Sequence, residues 1–150
     1  MKFGLSSGVV SGAQKIYAGF TNGGSSTTVT SSANLQLNTW THIAATYDGS
    51  SLKIYVNGTL TGSVANAGGL PSGTDAWYLG RAADGSSFFP GTMDEVRIWN
   101  VVRSQSDIYV NKNSTISNNS TGLVGYYKLD EDSGSSAADA TGNGYTGTVN

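Results

Sequence analysis

The chain of 150 residues has no cysteine, two prolines, one histidine, and only 12% charged residues. Without cysteine it forms no disulfides or thiolate metal sites, and a single histidine excludes a multi-histidine metal centre. The net charge is −2 and no cluster of Lys and Arg exists, so the sequence predicts no nucleic-acid partner. No apolar run approaches the length that spans a bilayer, so we expect no membrane partner.

Small and hydroxylated residues dominate instead. The chain contains 21 Gly, 21 Ser and 16 Thr against 2 Glu and 5 Lys, which favours strands and loops over long surface helices. The length predicts one domain over residues 1–150, large enough to bury a core. This lysine-poor, cysteine-free composition suits a secreted bacterial protein, located outside the cell or at its surface.

Short segments of alternating or apolar character, separated by turn signals, predict an all-β, antiparallel β-sandwich with one short helix. The predicted strands are Lys2–Ser6, Lys15–Thr21, Ser26–Ser32, Trp40–Tyr47, Leu52–Val56, Thr59–Val64, Trp77–Arg81, Gly91–Asn100, Gly122–Leu129 and Tyr145–Val149. Asn57-Gly58 predicts a type I′ hairpin turn that pairs Val56 with Thr59. The helix is predicted over Ser104–Val110, because Ser104 can cap its N-terminus.

The segment Gly91–Asn100 places a carboxylate in an unusual position. As a strand it puts Asp94, Val96 and Ile98 on one face, and Glu95, Arg97 and Trp99 on the other. A carboxylate in line with Val and Ile is costly unless a cation or several hydrogen bonds satisfy it. Asp94 is therefore the residue for which we first seek a role.

Five segments together resemble the laminin-G-like, concanavalin A-like jelly-roll family, and its pentraxin-like branch in particular. They are Asn38–Gly49, Leu52–Gly58, Gly91–Asn100, Gly122–Glu131 and Asp139–Gly144. The resemblance runs from about Tyr17 to Asn150 and implies a jelly-roll sandwich. It also implies that Trp40 and Trp99 pack inside the fold.

The family usually has two more core strands near its start, and nothing of that kind precedes Lys2. On this resemblance, either the copy is short, or it was cut, or another chain supplies the missing strands. An incomplete sandwich leaves open sheet edges, and such edges favour pairing with a neighbour. We accordingly consider a homo-oligomer that forms through open edges.

Oxygen ligands of the kind that Ca²⁺ prefers occur near the C-terminus. The turn Asp139–Gly144 can present Asp139, Asn143 and backbone carbonyls to one point, and the resemblance implies that the last strands lie near Asp94. One hypothesis is a structural calcium held by Asp94, Asp139 and Asn143. The alternative is that Asp139 and Asn143 form an Asx-type turn while Asp94 accepts backbone amides.

The sequence offers no catalytic pair of carboxylates. A glycosidase needs two carboxylates that face each other, whereas adjacent Asp94 and Glu95 point to opposite faces of a strand. The Glu-x-Asp-x-x-Glu pattern of concanavalin A-like hydrolases is absent. We therefore expect a protein that is not an enzyme.

Aromatic side chains supply the last set of candidates, because exposed rings stack on the apolar faces of sugars. The candidate ligand-binding residues are Trp77, Tyr78, Phe88 and Tyr127. Alternation along a strand predicts that one ring of Trp77/Tyr78 and one of Tyr126/Tyr127 points outward. The sequence thus favours a non-catalytic extracellular binding or adhesion module for carbohydrate, and the alternative is a self-assembling structural unit.

Overall fold

A computed structural model describes residues 2–10, 12–22, 24–66, 69–70, 76–81 and 88–149, and within the first strand only the side chain of Ser7 is described. The chain divides into two compact units. The first comprises Met1–Thr74 and Val102–Ser114, and the second comprises Asp75–Val101 and Thr115–Asn150. The described elements are antiparallel strands in both units and one short helix in the first, which confirms the predicted β-sandwich class. A single domain over the whole chain stays a prediction.

Two three-stranded antiparallel sheets form the first unit. One sheet has the order β1-β2-β3 and the other has the order β4-β5-β6. The strands are β1 (Lys2–Val10), β2 (Ala13–Asn22), β3 (Ser25–Thr30), β4 (Ile43–Tyr47), β5 (Ser51–Val56) and β6 (Thr59–Ala65). The first strand is longer than its predicted span Lys2–Ser6, and β4 begins three residues later than predicted.

The core of the first unit is built by alternation along β2 and β5. One face of each strand supplies buried apolar side chains, and Val29 of β3 joins them. The buried cluster consists of Ile16, Ala18, Phe20, Val29, Leu52, Ile54 and Val56. Phe20 also meets the ring of Tyr47 edge-on, with 5.0 Å between the ring centroids.

The β5–β6 hairpin forms as predicted. Asn57 and Gly58 both have positive φ, at 51° and 79°, as a type I′ turn requires. Val56 lies opposite Thr59 and Tyr55 opposite Leu60, which confirms the predicted register. The Asn57 side chain also accepts a hydrogen bond of 3.0 Å from the backbone N–H of His42, so the turn is tied to the residue before β4.

The single described helix, α1 (Gln105–Asn111), begins at its predicted cap. Ser104 accepts a hydrogen bond from the backbone N–H of Asp107, and the Asp107 carboxylate accepts one from the Ser104 backbone. This capping box satisfies two N–H groups that the helix itself leaves unpaired. Among the described residues, no helix is long and apolar enough to cross a membrane.

The second unit contains two short ladders. Strands β7 (Val96–Trp99) and β8 (Leu123–Tyr127) pair with each other, and β9 (Ser136–Ala137) pairs with β10 (Gly147–Thr148). The predicted strand Trp77–Arg81 does not form; only Arg81 takes part in an isolated bridge, with Phe88. The prediction failed because an apolar run of five residues cannot show whether a pairing partner exists.

Trp40 is not a packing residue in this chain. It lies in the loop before β4 and is 69% exposed, contrary to what the family resemblance implied. Trp99 is half-buried within β7. The difference arises because β4 begins only at Ile43, so strand alternation does not extend to Trp40.

Candidate functional site

The C-terminal turn is organised around the Asp139 carboxylate. One oxygen, Oδ1, accepts hydrogen bonds from the backbone N–H groups of Tyr126 (3.1 Å) and Thr141 (3.0 Å). The other, Oδ2, accepts one from the N–H of Tyr145 (3.2 Å), and the Thr141 hydroxyl lies 2.8 Å from both oxygens. Asn143 donates its side-chain N–H to the backbone carbonyl of Val124 at 2.9 Å. The turn is therefore fastened to β8 by side chains.

These hydrogen bonds set the ionisation of Asp139. Partial burial by itself works to raise the pKa of Asp139, but the donors of Thr141, Tyr126 and Tyr145 outweigh it, so the pKa lies below its usual value. The carboxylate is thus ionised at neutral pH. Its negative charge and partial burial together raise the pKa of the neighbouring Tyr127 hydroxyl, with burial the larger cause.

The surroundings of Asp139 bear on the calcium hypothesis. Both carboxylate oxygens face N–H and O–H donors, and a cation would have to compete with those donors for the same lone pairs. Asp94 is exposed and Asn143 is turned to Val124. In the described part of the chain, no three His, Cys, Asp or Glu residues gather where a metal ion could bind. Calcium at Asp94, Asp139 and Asn143 stays a prediction, and the hydrogen bonds favour the Asx-type turn.

Asp94 does not occupy the environment predicted for it, and that prediction was wrong. Strand β7 begins at Val96, two residues after Asp94, and the Asp94 side chain is exposed rather than aligned with Val96 and Ile98. The cause is Glu95, whose φ of 54° lies in the left-handed region. A left-handed residue interrupts the two-residue alternation of a strand, so the face predicted for Asp94 no longer applies.

Glu95 is the carboxylate that the fold holds in place. It accepts a hydrogen bond from the Tyr126 hydroxyl at 2.6 Å and a charge-assisted one from Arg97, whose side chain is only 11% exposed. The Arg97 guanidinium also lies 5.5 Å from the Tyr126 ring centroid, and the Tyr126 side chain is fully buried. Burial works to raise the pKa of Glu95, but the bonds from Tyr126 and Arg97 and the charge of Lys128 keep it below its usual value.

The sequence carries a partial signal for this network. Glu95, Arg97 and Trp99 are predicted to share one strand face, and two residues of opposite charge on one face can pair. Only the register of β7 with β8, which sets Arg97 opposite Tyr126, supplies the third member. The sequence does not show that register, because no short turn joins the two strands.

Exposed aromatic residues occur in the second unit within residues 76–81 and at Phe88. Trp77 is 62% exposed and Phe88 is 73% exposed, and Tyr78 is also exposed. The backbones of the two segments meet, because Arg81 bridges Phe88 and the N–H of Phe89 donates to the carbonyl of Gly80 at 2.7 Å. We call Trp77, Tyr78, Arg81 and Phe88 the aromatic surface.

Alternation did not predict this exposure. Trp77 and Tyr78 are both exposed, because residues 76–78 form no strand and nothing forces one of the two rings inward. In the other pair Tyr126 is fully buried and Tyr127 is half-buried, so the two differ in burial in the predicted sense but neither ring is exposed. The Tyr127 hydroxyl donates to the carbonyl of Tyr145 at 2.6 Å, so this ring helps to hold the C-terminal segment.

Arginine gives the aromatic surface a positive charge. The Arg81 guanidinium carbon lies 4.5 Å from the centroid of the Tyr78 ring, a cation–π distance. In an antiparallel pair, residues directly opposite one another point to the same face, so Arg81 and Phe88 share a face. The arrangement combines flat apolar rings with a planar hydrogen-bond donor, which is how many sugar sites are composed.

Comparison with known proteins adds a family match. The Laminin_G_3 model, described as the concanavalin A-like lectin/glucanases superfamily, matches residues 2–109. The chain matches none of the curated proteins.

Two solved structures are similar to the chain. One is a Bacteroides ovatus protein described as a candidate carbohydrate binding protein, with 30% identity and a TM-score of 0.72 over 90% of this chain. The chain spans 39% of that protein's length. The other is an S-layer domain-containing protein of Clostridium thermocellum, with 26% identity and a TM-score of 0.43, covering 64% of this chain and 50% of that one. At such a TM-score two chains need not share a topology.

Proposed function

Because the chain belongs to the Laminin_G_3 family of the concanavalin A-like lectin/glucanases superfamily, we propose that it is a non-catalytic, extracellular carbohydrate-binding module. The observation that carries the proposal is the aromatic surface, where Trp77, Tyr78 and Phe88 are each exposed and lie on two segments that the Arg81–Phe88 bridge joins. The name of the Bacteroides ovatus protein, which describes carbohydrate binding, supports the same ligand class.

Exposed rings in this arrangement match the chemistry of a sugar. A large aromatic side chain left in water forgoes roughly 2 kcal/mol or more of burial free energy. Three such side chains on two bridged segments indicate a contact surface. A pyranose offers an apolar face of C–H groups that can cover a ring, together with hydroxyls that need hydrogen-bond partners. The Arg81 guanidinium, which lies over the Tyr78 ring, supplies donors for those hydroxyls.

The state of the carboxylates supports a role without catalysis. A glycosidase acid needs a raised pKa so that it carries a proton at neutral pH. The pKa values of Glu95 and Asp139 are both lowered, and hydrogen bonds already engage both side chains. The pKa of Glu131 is lowered as well, because its carboxylate accepts the N–H of Ala138 at 2.7 Å.

Binding to polysaccharides tests the proposal. We would measure retardation of the purified chain in native gels that contain soluble neutral β-glucan, xylan or polygalacturonate. Trp77→Ala should weaken binding about fivefold, since ring stacking is worth on the order of 1 kcal/mol. Trp40→Ala is the matched control, because Trp40 is also an exposed tryptophan but lies in the first unit.

Two outcomes would count against the proposal. The first is a chain that no polysaccharide of the panel retards although its circular dichroism shows a folded β protein. The second is equal loss of binding in Trp77→Ala and Trp40→Ala, since stacking at the aromatic surface would then not be responsible. Melting temperatures of the variants serve to separate loss of binding from loss of fold.

Self-assembly is a second candidate function, and the edge strand β1 favours it. Within the described residues β1 pairs only with β2, and its nine residues form a long edge. Unpaired N–H and C=O groups on such an edge can accept a strand from another chain. Light scattering tests this: a mass of several times 15.5 kDa would support assembly, whereas a monomer at high concentration would refute it.

A further inference from the structure

Arg81 differs from the other arginines of the chain. Arg97 pairs with Glu95, and Arg103 lies 3.8 Å from the carboxylate of Asp107. Among the described residues, Arg81 has no carboxylate partner, and its guanidinium instead rests on the ring of Tyr78. The positive charge therefore lies over an aromatic ring, and no carboxylate in the described part of the chain occupies its N–H donors.

The Arg81 guanidinium lies over the Tyr78 ring, with its carbon 4.5 Å from the ring centroid. The group is planar and carries a fork of N–H donors that can bind a carboxylate through two bonds. Phe88 lies on the same face, opposite Arg81 in the antiparallel bridge. A ligand that covers the Phe88 ring therefore lies on the same face as a donor that can form two bonds to a carboxylate.

We infer that the aromatic surface selects acidic sugars, with a uronic acid residue as the ligand unit. This inference rests on the proposed carbohydrate-binding function. A uronate carries its carboxylate on the same pyranose ring that offers a C–H face, so one residue can stack on an aromatic ring and pair with Arg81. A guanidinium and a carboxylate are both planar and can form two parallel, charge-assisted hydrogen bonds, which makes this pair strong.

The net negative charge of the chain excludes a general attraction to acidic polymers as the cause of the expected preference. At neutral pH the net charge is −2, so the protein as a whole does not attract polyanions. Any preference for an acidic polysaccharide must therefore come from a local cation. A surface that only stacked sugars would instead bind an acidic polymer no better than its neutral counterpart.

Polygalacturonate and its fully methyl-esterified form are the probes that isolate the charge. The two share the same sugar rings and differ in whether the C6 group is an ionised carboxylate or a neutral methyl ester. Affinity electrophoresis would be run in the presence of EDTA, so that calcium cannot cross-link the acidic polymer. We expect the acidic polymer to bind at least about tenfold more tightly than the ester, as a charge-assisted pair is worth more than 1.4 kcal/mol.

Three variants assign the preference to Arg81. Arg81→Gln should bind acid and ester equally, whereas Arg81→Lys should retain part of the preference because the charge remains. Arg103→Gln is the matched control, since it removes the same charge from an arginine paired with Asp107 in the other unit. Arg103→Gln should bind both polymers as the parent chain does. All three variants should have the melting temperature of the parent chain.

The outcomes separate this inference from the function on which it rests. Equal binding of acid and ester by the parent chain, or an unchanged preference in Arg81→Gln, overturns the inference while carbohydrate binding stands. Binding of dextran sulfate as tightly as polygalacturonate also overturns it, since the surface would then select any anion. Failure of every polymer to bind overturns the proposed function itself.

Discussion

Replacing Gly58 by alanine should destabilise the first unit strongly. Gly58 is buried and has a φ of 79°, a conformation that costs a residue with a Cβ about 1–2 kcal/mol. A Cβ at this position would also lie 2.7 Å from Cα and 2.9 Å from Cδ2 of Tyr109. Side-chain rotation cannot move the Tyr109 backbone, so helix α1 must shift, and overpacking of this kind costs about 1–3 kcal/mol.

Gly24 provides a matched control for the backbone term. Its φ is 84°, close to that of Gly58, but a Cβ there would meet nothing within 4 Å. Gly24→Ala should therefore cost about 1–2 kcal/mol, and Gly58→Ala about 2–5 kcal/mol. The difference between the two variants measures how tightly the β5–β6 turn packs against α1.

Urea unfolding followed by tryptophan fluorescence is the assay, with the free energy of unfolding extrapolated for each variant. Adding Tyr109→Ala to Gly58→Ala should recover only part of the loss, because the clash with the backbone of residue 109 persists when the ring is removed. The reasoning is refuted if Gly58→Ala costs no more than Gly24→Ala, or if Tyr109→Ala restores full stability.

Three further predictions concern the second unit. Tyr126→Phe removes the hydrogen bond to ionised Glu95 and should lower the free energy of unfolding in urea by about 1.5–3 kcal/mol. The control Tyr47→Phe loses a neutral bond to the Asn66 carbonyl and should lower it by about 0.5–1.5 kcal/mol. Equal costs would contradict the charge-assisted bond. The pKa values of Glu95 and Asp139 are lower in the folded than in the unfolded chain, so the unfolded chain binds more protons in acid. The free energy of unfolding should therefore be constant near neutral pH and fall below about pH 4. The fall should be shallower in Asp139→Asn. An identical acid profile in Asp139→Asn would mean that this carboxylate does not contribute. Since donors already fill the Asp139 oxygens, the melting temperature should be the same in CaCl₂ and in EDTA, and a calcium-dependent rise that Asp139→Asn abolishes would instead support the calcium hypothesis.

Local chemistry explains where sequence reasoning succeeded. The Asn57-Gly58 turn and the Ser104 capping box each depend on residues within four positions of one another, and the structure confirms both. The buried and half-buried pair Tyr126/Tyr127 follows from strand alternation alone. The sequence indicates Trp77, Tyr78 and Phe88 as candidate ligand residues, because they are large rings in a segment rich in turn residues.

The sequence did not predict the environment of a residue correctly where the backbone departs from regular strand geometry. Asp94 was assigned to the wrong environment because a non-glycine residue at positive φ, Glu95, is rare and carries no sequence mark. Trp40 was expected to be packed, yet β4 begins after it. The strand β9 was missed because two residues in a Ser- and Asp-rich segment show no periodicity.

The sequence by itself determined the fold class, the family and the local turns, because these follow from patterning, spacing and short-range hydrogen bonds. Only the tertiary structure decided which carboxylates are engaged, which rings are exposed and which arginine has no carboxylate partner among the described residues. Those properties depend on strands that are distant in the chain, such as β7 and β8, and on the bridge that sets Arg81 opposite Phe88. The register between such segments is fixed by packing, and no residue pattern within either segment specifies it.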